Sequence, residues 1–194
     1  MNAPPIVLAT GNSGKVRELG ALLAPSDVAP APDDFDVEET GTTLMQNALL
    51  KARALRPEVD AARLVVADDT GLVVHALGGR PGVFSARYAG PDATYEDNCR
   101  RLIDEMDGET DRGAAFVCVL VALAADGDMS VACGTVSGTI TTAMRGANGF
   151  GYDPVFQPVG GEETMAEMST EAKSAISHRG RAARRLASAI ASAR

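Results

Sequence analysis

From Leu64 to Gly71 the chain reads Leu, Val, Val, Ala, Asp, Asp, Thr, Gly, and this stretch constrains the possible folds more than any other. A short run rich in β-branched apolar residues predicts a buried strand, with two adjacent carboxylates at its end, where the Thr-Gly pair predicts a break. Successive residues of an extended segment point to opposite faces, so Asp68 and Asp69 cannot both face one cleft. One of them needs partners of its own, because an uncompensated charge in an apolar interior is costly. Two readings stay open: a turn built from Asp and Gly, or a metal or catalytic centre held at a strand end.

A chain of 194 residues, 45% of them hydrophobic, can bury a sizeable core as one domain or as one domain with two lobes. No apolar run approaches the roughly 18 residues of a membrane span, and Met1 to Pro5 carry neither a basic region nor a signal-like apolar stretch. The expectation is a cytoplasmic protein without a membrane partner. Cys99, Cys118 and Cys133 lack metal-ligand spacing and lie in helix or strand patterns, so neither zinc nor a disulfide is expected. A formal net charge of −8 argues against a nucleic-acid partner, whose phosphates are gripped by many Lys and Arg side chains. A small anionic ligand remains open, since a few convergent cations in one cleft suffice.

Along the chain, Ile6 to Ala9 predicts a short buried strand, followed by Thr10, Gly11, Asn12, Ser13, Gly14 and Lys15. Val16, Leu19 and Leu23 then recur at helical spacing, giving a helix from about Gly14 to Ala24 that ends before Pro25. A small-residue loop feeding a helix N-terminus collects free N–H groups and the positive end of the dipole, and Lys15 adds a full charge. The segment is not a Walker A motif, because Val16 stands where Ser or Thr would hold magnesium. A phosphate site and a plain strand-to-helix turn both fit.

Pro25 to Asp36 predicts a surface loop with one short strand. Glu38 and Glu39 precede a helix with Met45, Ala48, Ala52 and Leu55 on one face, Asn47 and Lys51 on another, and Thr40 or Thr42 as N-cap. The two glutamates complement that helix's dipole or carry chemistry. Leu72 to Leu77 predicts continued strand or a buried edge, with His75 structural. Arg87 reaches a phosphate or pairs with a surface carboxylate. Thr94 predicts the N-cap of an amphipathic helix bearing Cys99, Leu102, Ile103 and Met106.

Ala114 to Ala125 is almost continuously apolar, as in a central strand covered on both faces. Asp126-Gly127 predicts a tight turn, and Val136, Gly138 and Ile140 alternate with Thr135, Ser137 and Thr139, so an antiparallel hairpin and a mixed sheet are expected. The loop from Gly146 to Pro154 holds Phe150 and Tyr152 in a chain with only 4% aromatic residues. They pin the loop to a core, or Phe150 offers its face to a nucleobase. Lys173, His178 and Arg179 lie near the C-terminus. The last helix places Ala182, Leu186, Ala189 and Ile190 on one face and Arg181, Arg184 and Arg185 on a solvated one, with the Ala/Ser/Arg tail expected to fray.

Five of these stretches, Thr10 to Lys15, Glu38 to Gly41, Ala67 to Gly71, Gly149 to Asp153 and Lys173 to Arg179, come in an order that resembles the inosine triphosphate pyrophosphatase (Ham1-like) family over nearly the whole chain. The resemblance implies an elongated, two-lobed α/β fold with a long mixed sheet flanked by helices and a central nucleotide cleft. It implies one pyrophosphatase domain over residues 1–194, usually a homodimer. The implied reaction is Mg2+-dependent hydrolysis of ITP, dITP and XTP to the monophosphate and pyrophosphate.

By position, the resemblance assigns the triphosphate to Thr10, Gly11, Asn12, Ser13, Gly14, Lys15 and Lys51, and Mg2+ to Glu39 and Asp69. Asp69 would also be the proton acceptor for the attacking water, and Thr70 would touch substrate. Those roles of Asp69 conflict: a divalent cation lowers a carboxylate's pKa, whereas a base needs a higher one. Asp69 therefore reads chiefly as the group that orients a water acidified by the metal. The base falls to Phe150, Gly151, Tyr152, Asp153, Lys173, His178 and Arg179. A donor from His178 or Arg179 would pair with the C6 carbonyl of hypoxanthine or xanthine and meet another donor on adenine. Gln46 and Thr70 depart from the residues relatives often carry, and Thr70 keeps the hydroxyl of the Ser it replaces. The alternatives are a nucleotide-binding regulatory module without turnover and a pyrophosphatase of different base preference.

Overall fold

The structure, a computed structural model, describes residues 3–192. The readings of the first residues as lacking a leader and of the last as frayed fall partly on residues 1, 2, 193 and 194, outside the described residues. The strands are β1 (Ile6–Leu8), β2 (Val28–Pro30), β3 (Leu64–Val74), β4 (Pro81–Gly82), β5 (Gly113–Leu123), β6 (Met129–Ile140) and β7 (Phe156–Pro158). The helices are α1 (Ser13–Leu22), α2 (Leu44–Leu55), α3 (Tyr95–Glu105), α4 (Thr170–Ile176) and α5 (His178–Ser192).

The strands form one seven-stranded sheet in the order β2-β1-β3-β5-β6-β7, with β4 added on β3. β1 runs parallel to β2 and β3, while β4 on β3 and β7 on β6 are antiparallel, so the sheet is mixed as expected. The parallel pairs need crossovers, which α1 and α2 supply. β5 and β6 form the expected hairpin: the Ala124 N–H donates to the Asp128 carbonyl and the Ile140 N–H to that of Arg112, both at 2.9 Å.

The chain divides into two compact units. The first takes the chain up to Asp69, Cys118–Gly134 and the chain from His178; the second takes Thr70–Val117 and Thr135–Ser177. In the first unit the two-residue period of the strands sorts the core. Ile6, Leu8, Val66, Cys118, Leu120 and Ala122 pack with Leu19 and Leu23 from α1 and its end and with Ala182, Ala183 and Leu186 of α5. Val7, Ala9, Val65, Ala67, Val119 and Val121 pack with Ala48, Ala52 and Leu55 of α2. Coverage on both faces is why these strands are nearly continuous apolar runs.

In the second unit, Leu72, Val74, Ala114, Phe116, Val136 and Ile140 pack with Cys99 and Leu102 of α3, with Met106 at its C-terminal end and with Phe156. Thr135, Ser137 and Thr139 alternate outward and are exposed, which accounts for the polar half of that strand pattern. Among the described residues no helix is long and apolar enough to cross a membrane.

Two local expectations are corrected. The strand does not break at Thr70-Gly71: β3 continues to Val74, with Gly71 buried, the Leu72 N–H bound to Ser85 Oγ at 2.9 Å and β4 paired alongside. Tertiary pairing satisfies the backbone there and outweighs the turn preference of the residues. Nor is the α2 N-cap Thr40 or Thr42. It is Thr43, whose hydroxyl accepts the Gln46 N–H at 3.2 Å while Gln46 Oε1 accepts N–H groups of Thr42 and Thr43 at 2.8 and 3.2 Å. Gln46 thus closes a reciprocal capping box.

Candidate active site

The register of β3 decides where its two carboxylates go. Asp68 shares its face with Val66, which packs against α1 and α5; Asp69 shares its face with Val65 and Ala67, which pack against α2. All groups described next, until the aromatic loop, belong to the first unit.

On the first face, Asn12 caps α1. Its Oδ1 accepts the Lys15 N–H at 3.1 Å, and its own N–H donates to Thr10 Oγ1 at 3.2 Å. No acidic residue occupies the first turn, so the positive end of the helix is uncompensated by its own sequence. Gly11 and Ser13 are exposed there, and Gly14 is buried. Lys15 Nζ pairs with Asp68 Oδ1. Arg179 donates from Nε to Asp68 Oδ2 at 3.4 Å and from Nη1 to Glu18 Oε2 at 2.6 Å, and the Cys118 thiol donates to Asp68 Oδ2 at 3.7 Å.

Asp68 and Arg179 are 1% and 2% exposed, so this is a buried ion network. Burial pushes the Asp68 carboxyl up, but the charges of Lys15, Arg179 and Lys51 outweigh it and hold the group far below the usual carboxylate range. Burial lowers the Arg179 pKa, and Asp68, Cys118 and Glu18 more than restore it. A carboxylate so strongly acidified is a poor proton acceptor. Asp68 is an anchor for cations.

On the second face, Lys51 Nζ lies 2.6 Å from Glu39 Oε1 and 3.1 Å from Asp69 Oδ1. Asp69 is 5% exposed, and its Oδ2 has no hydrogen-bond partner among the described residues. Burial pushes the Asp69 carboxyl up, Lys51 opposes, and the Glu39 charge adds to the rise, leaving it above the usual range. Burial pulls Lys51 down, and Asp69, Asp68 and Glu39 reverse that and raise it. The neighbouring aspartates are therefore driven apart, one towards permanent ionisation and one towards basicity.

Glu39 and Asp69 also fit a hard divalent cation. Two carboxylates already surround one positive charge, that of Lys51, and Asp69 Oδ2 is a buried oxygen with no donor. No group of three or more His, Cys, Asp or Glu is arranged for a metal among the described residues, which disfavours an all-protein cage. Magnesium needs only one or two carboxylates when water and phosphate oxygens complete its shell.

In the second unit, the loop after β6 is built around Asp153. Its Oδ2 accepts the Phe150 N–H at 2.8 Å and Lys173 Nζ at 2.7 Å. Lys173 Nζ also lies 5.1 Å from the Phe150 ring centroid, and the Tyr95 ring stands 5.9 Å from it, tilted by 40°. Tyr152 is 4% exposed and donates its hydroxyl to the Ser85 carbonyl at 3.0 Å, while Cys99 Sγ donates to the Gly151 carbonyl at 3.3 Å. Burial pushes the Cys99 thiol up to about 12, so it is a packing group rather than a nucleophile. The two aromatics thus divide the alternatives between them: Tyr152 pins the loop, and Phe150 keeps a partly exposed ring under a cation.

Gly149 makes this loop possible. Its φ is 76°, and a Cβ there would lie 2.1 Å from Asp153 Oδ2. Gly149→Ala is expected to destabilise by about 1–2 kcal/mol from the backbone alone, with the clash adding to it. Denaturant titration checks this, and an unchanged midpoint would show that the loop does not need glycine.

The structure thus gathers the predicted residues in three groups: Lys15 with Asp68 and Arg179, Lys51 with Glu39 and Asp69, and Phe150 with Asp153 and Lys173. His178 and Arg179 begin α5 in the first unit, whereas residues 150–153, Lys173 and the half-buried Thr70 lie in the second. Arg87 lies over the Phe84 ring at 5.5 Å. His75 is largely exposed, with Nδ1 3.9 Å from Asp111 Oδ2. The partners Glu18 and Cys118 were missed from sequence, although Glu18 follows Lys15 by one helical turn and could have been sought there.

The Ham1 family profile matches residues 6–189. A dITP/XTP pyrophosphatase of Staphylococcus epidermidis is 46% identical over 184 residues, covering 93% of this chain and 93% of that protein. One from an Exiguobacterium species is 43% identical over 190 residues, 95% of this chain and 96% of that protein. Among solved structures, the Ham1 protein of Staphylococcus aureus matches with a TM-score of 0.87 at 41% identity, over 98% of this chain and 100% of that chain.

Proposed function

The chain belongs to the Ham1 family, and we propose that it hydrolyses ITP, dITP and XTP to the monophosphate and pyrophosphate, with Mg2+ as its metal. The observation that carries this reading is the cluster of Lys51, Glu39 and Asp69. It offers a buried carboxylate with an unpartnered oxygen, and a second carboxylate and a lysine beside it. A binding module has no need of a metal-held water.

In this reading Glu39 and Asp69 hold Mg2+. When bound, the ion neutralises phosphate charge and acidifies a water. Asp69 would chiefly orient the attacking water and accept its proton at the carboxylate, and Lys51 keeps Asp69 in place while adding positive charge towards the phosphates. Thr10, Gly11, Asn12, Ser13, Gly14 and Lys15 bind the triphosphate through the N–H groups and dipole of α1 and the lysine charge. Asp68 holds Lys15 by its ammonium group. Catalysis then comes mostly from positioning and charge neutralisation, the general pattern of phosphoryl chemistry.

For the base, this reading assigns Phe150 as a stacking face together with Gly151, Tyr152, Asp153, Lys173, His178 and Arg179, and it assigns Thr70 to the substrate. A donor facing the C6 carbonyl of hypoxanthine or xanthine meets another donor in adenine, and buried groups left unpaired discriminate strongly. Arg179 contributes through the charge balance it sets with Asp68 and Glu18. The same reading makes residues 1–194 one pyrophosphatase domain working as a homodimer in the cytoplasm.

Pyrophosphate release from ITP, XTP, dITP, ATP and GTP, each with Mg2+ and with EDTA, tests the proposal. The expected result is metal-dependent release with kcat/KM about a hundredfold or more above ATP for the first three. ITP binding without release would make the chain a regulatory module. A different best substrate would overturn the base assignment.

A further inference from the structure

Asn47 lies on α2 one turn before Lys51 and is 0% exposed. Its Oδ1 accepts the Gly41 N–H at 2.8 Å, which fixes the orientation of the amide, and Nδ2 has no hydrogen-bond partner among the described residues. Asn98 in the second unit shows the contrast. Equally buried, it accepts from the Ala89 N–H at 2.7 Å and donates to the Ala86 carbonyl at 3.1 Å, so both ends of its amide are used. A buried donor left unsatisfied is costly. Asn47 is therefore a poor choice for packing alone, and what it does is hold Gly41.

Gly41 is pressed onto the same spot: a Cβ there would meet Asn47 Oδ1 at 2.4 Å and Gln46 Cβ at 2.7 Å. Just before it, the Thr40 N–H donates to the Glu38 carbonyl at 3.1 Å, closing a tight turn around Glu39. The Glu39 carboxylate is taken by Lys51 at 2.6 Å. One face of α2 thus holds residues 38–41 twice, at the backbone through Asn47 and at the side chain through Lys51.

We infer that Asn47 is a positioning residue for Glu39: by fixing the backbone of residues 38–41 it keeps the Glu39 carboxylate beside Lys51 and Asp69 and sets the affinity of the site for its divalent cation. This rests on the reading of Glu39 as a metal ligand. Groups that hold a metal ligand in place typically change metal affinity about 10–100-fold when removed.

The test compares Asn47→Leu, which removes the acceptor, with Asn47→Asp, which keeps an oxygen facing the Gly41 N–H. Two quantities are read: hydrogen exchange of residues 38–42 in the metal-free protein, and the Mg2+ concentration giving half-maximal pyrophosphate release from ITP. In Asn47→Leu, exchange at Gly41 should accelerate and the Mg2+ midpoint rise about tenfold, while turnover at saturating Mg2+ stays within about threefold of wild type. Asn47→Asp should keep the exchange of wild type and a midpoint no higher. A wild-type midpoint in Asn47→Leu, or lost turnover at an unchanged midpoint, would overturn the inference. So would an equal loss in folded Asn47→Asp, the variant that decides alone if Asn47→Leu does not fold. Metal-independent release by the wild-type protein would instead overturn the metal reading of Glu39, and Gly41 exchange would still decide whether Asn47 anchors the segment.

Discussion

Asp69→Asn is expected to abolish pyrophosphate release, by about 10²–10⁴-fold or more, because the amide cannot take a proton from the attacking water. Nucleotide binding should survive, since the N-terminus of α1, Lys15 and Lys51 all remain. The geometry favours Asp69 over its neighbour on two grounds. Asp69 has a buried oxygen without a donor and a pKa raised first by burial and then by Glu39, against the pull of Lys51. Asp68 has both oxygens facing cations or a thiol and is held ionised. Single-turnover pyrophosphate release and calorimetric binding of ITP, measured on the same preparation, separate chemistry from affinity. Turnover at the wild-type rate would remove Asp69 from the mechanism.

Asp68→Asn should instead cause the largest loss of stability. Removing one partner of a buried ion network leaves the others uncompensated, at a cost of about 3–5 kcal/mol, and here Arg179 is almost wholly buried. For a chain of this size each kcal/mol lowers Tm by roughly 2–4 °C. The pH dependence has a definite sign. The folded-state pKa of Asp68 is depressed, so its contribution is present in full above its unfolded value of about 3.9 and is lost as pH falls through the folded value. The gap between wild type and Asp68→Asn should be constant from neutral pH to about pH 5 and narrow below about pH 4. Denaturant titrations across that range measure it. A gap under about 1 kcal/mol at pH 7, the value of an exposed pair, would show that the network is not a structural anchor.

Much of this site can be read in one dimension, and the failures have physical causes. The strand around Val65 and the hairpin at Asp126-Gly127 were legible because apolar period and turn chemistry are local properties. The continuation of β3 through Thr70-Gly71 was not, because it depends on pairing with β4 and on a hydrogen bond from Leu72 to Ser85. The α2 cap was misplaced by one to three residues because three threonines compete for it and only Gln46 selects among them. In sequence Asn47 is one polar residue on a helix face, and its role comes from Gly41 folding back against it.

The sequence by itself determined that Asp68 and Asp69 must face opposite sides of the sheet, since side chains alternate along any strand. It likewise placed an anion-ready helix N-terminus directly after the first strand, with Asn12 and Lys15 in it. Only the tertiary structure decided which carboxylate is paired with two cations and held ionised and which keeps a buried oxygen without a donor. Lys15 and Lys51 are interchangeable charges in one dimension, and nothing in the order of residues says that Arg179 will be buried against Asp68 while Asp69 keeps an oxygen unpartnered. Burial and the distance to each cation set those two pKa values, and both are properties of the packed chain.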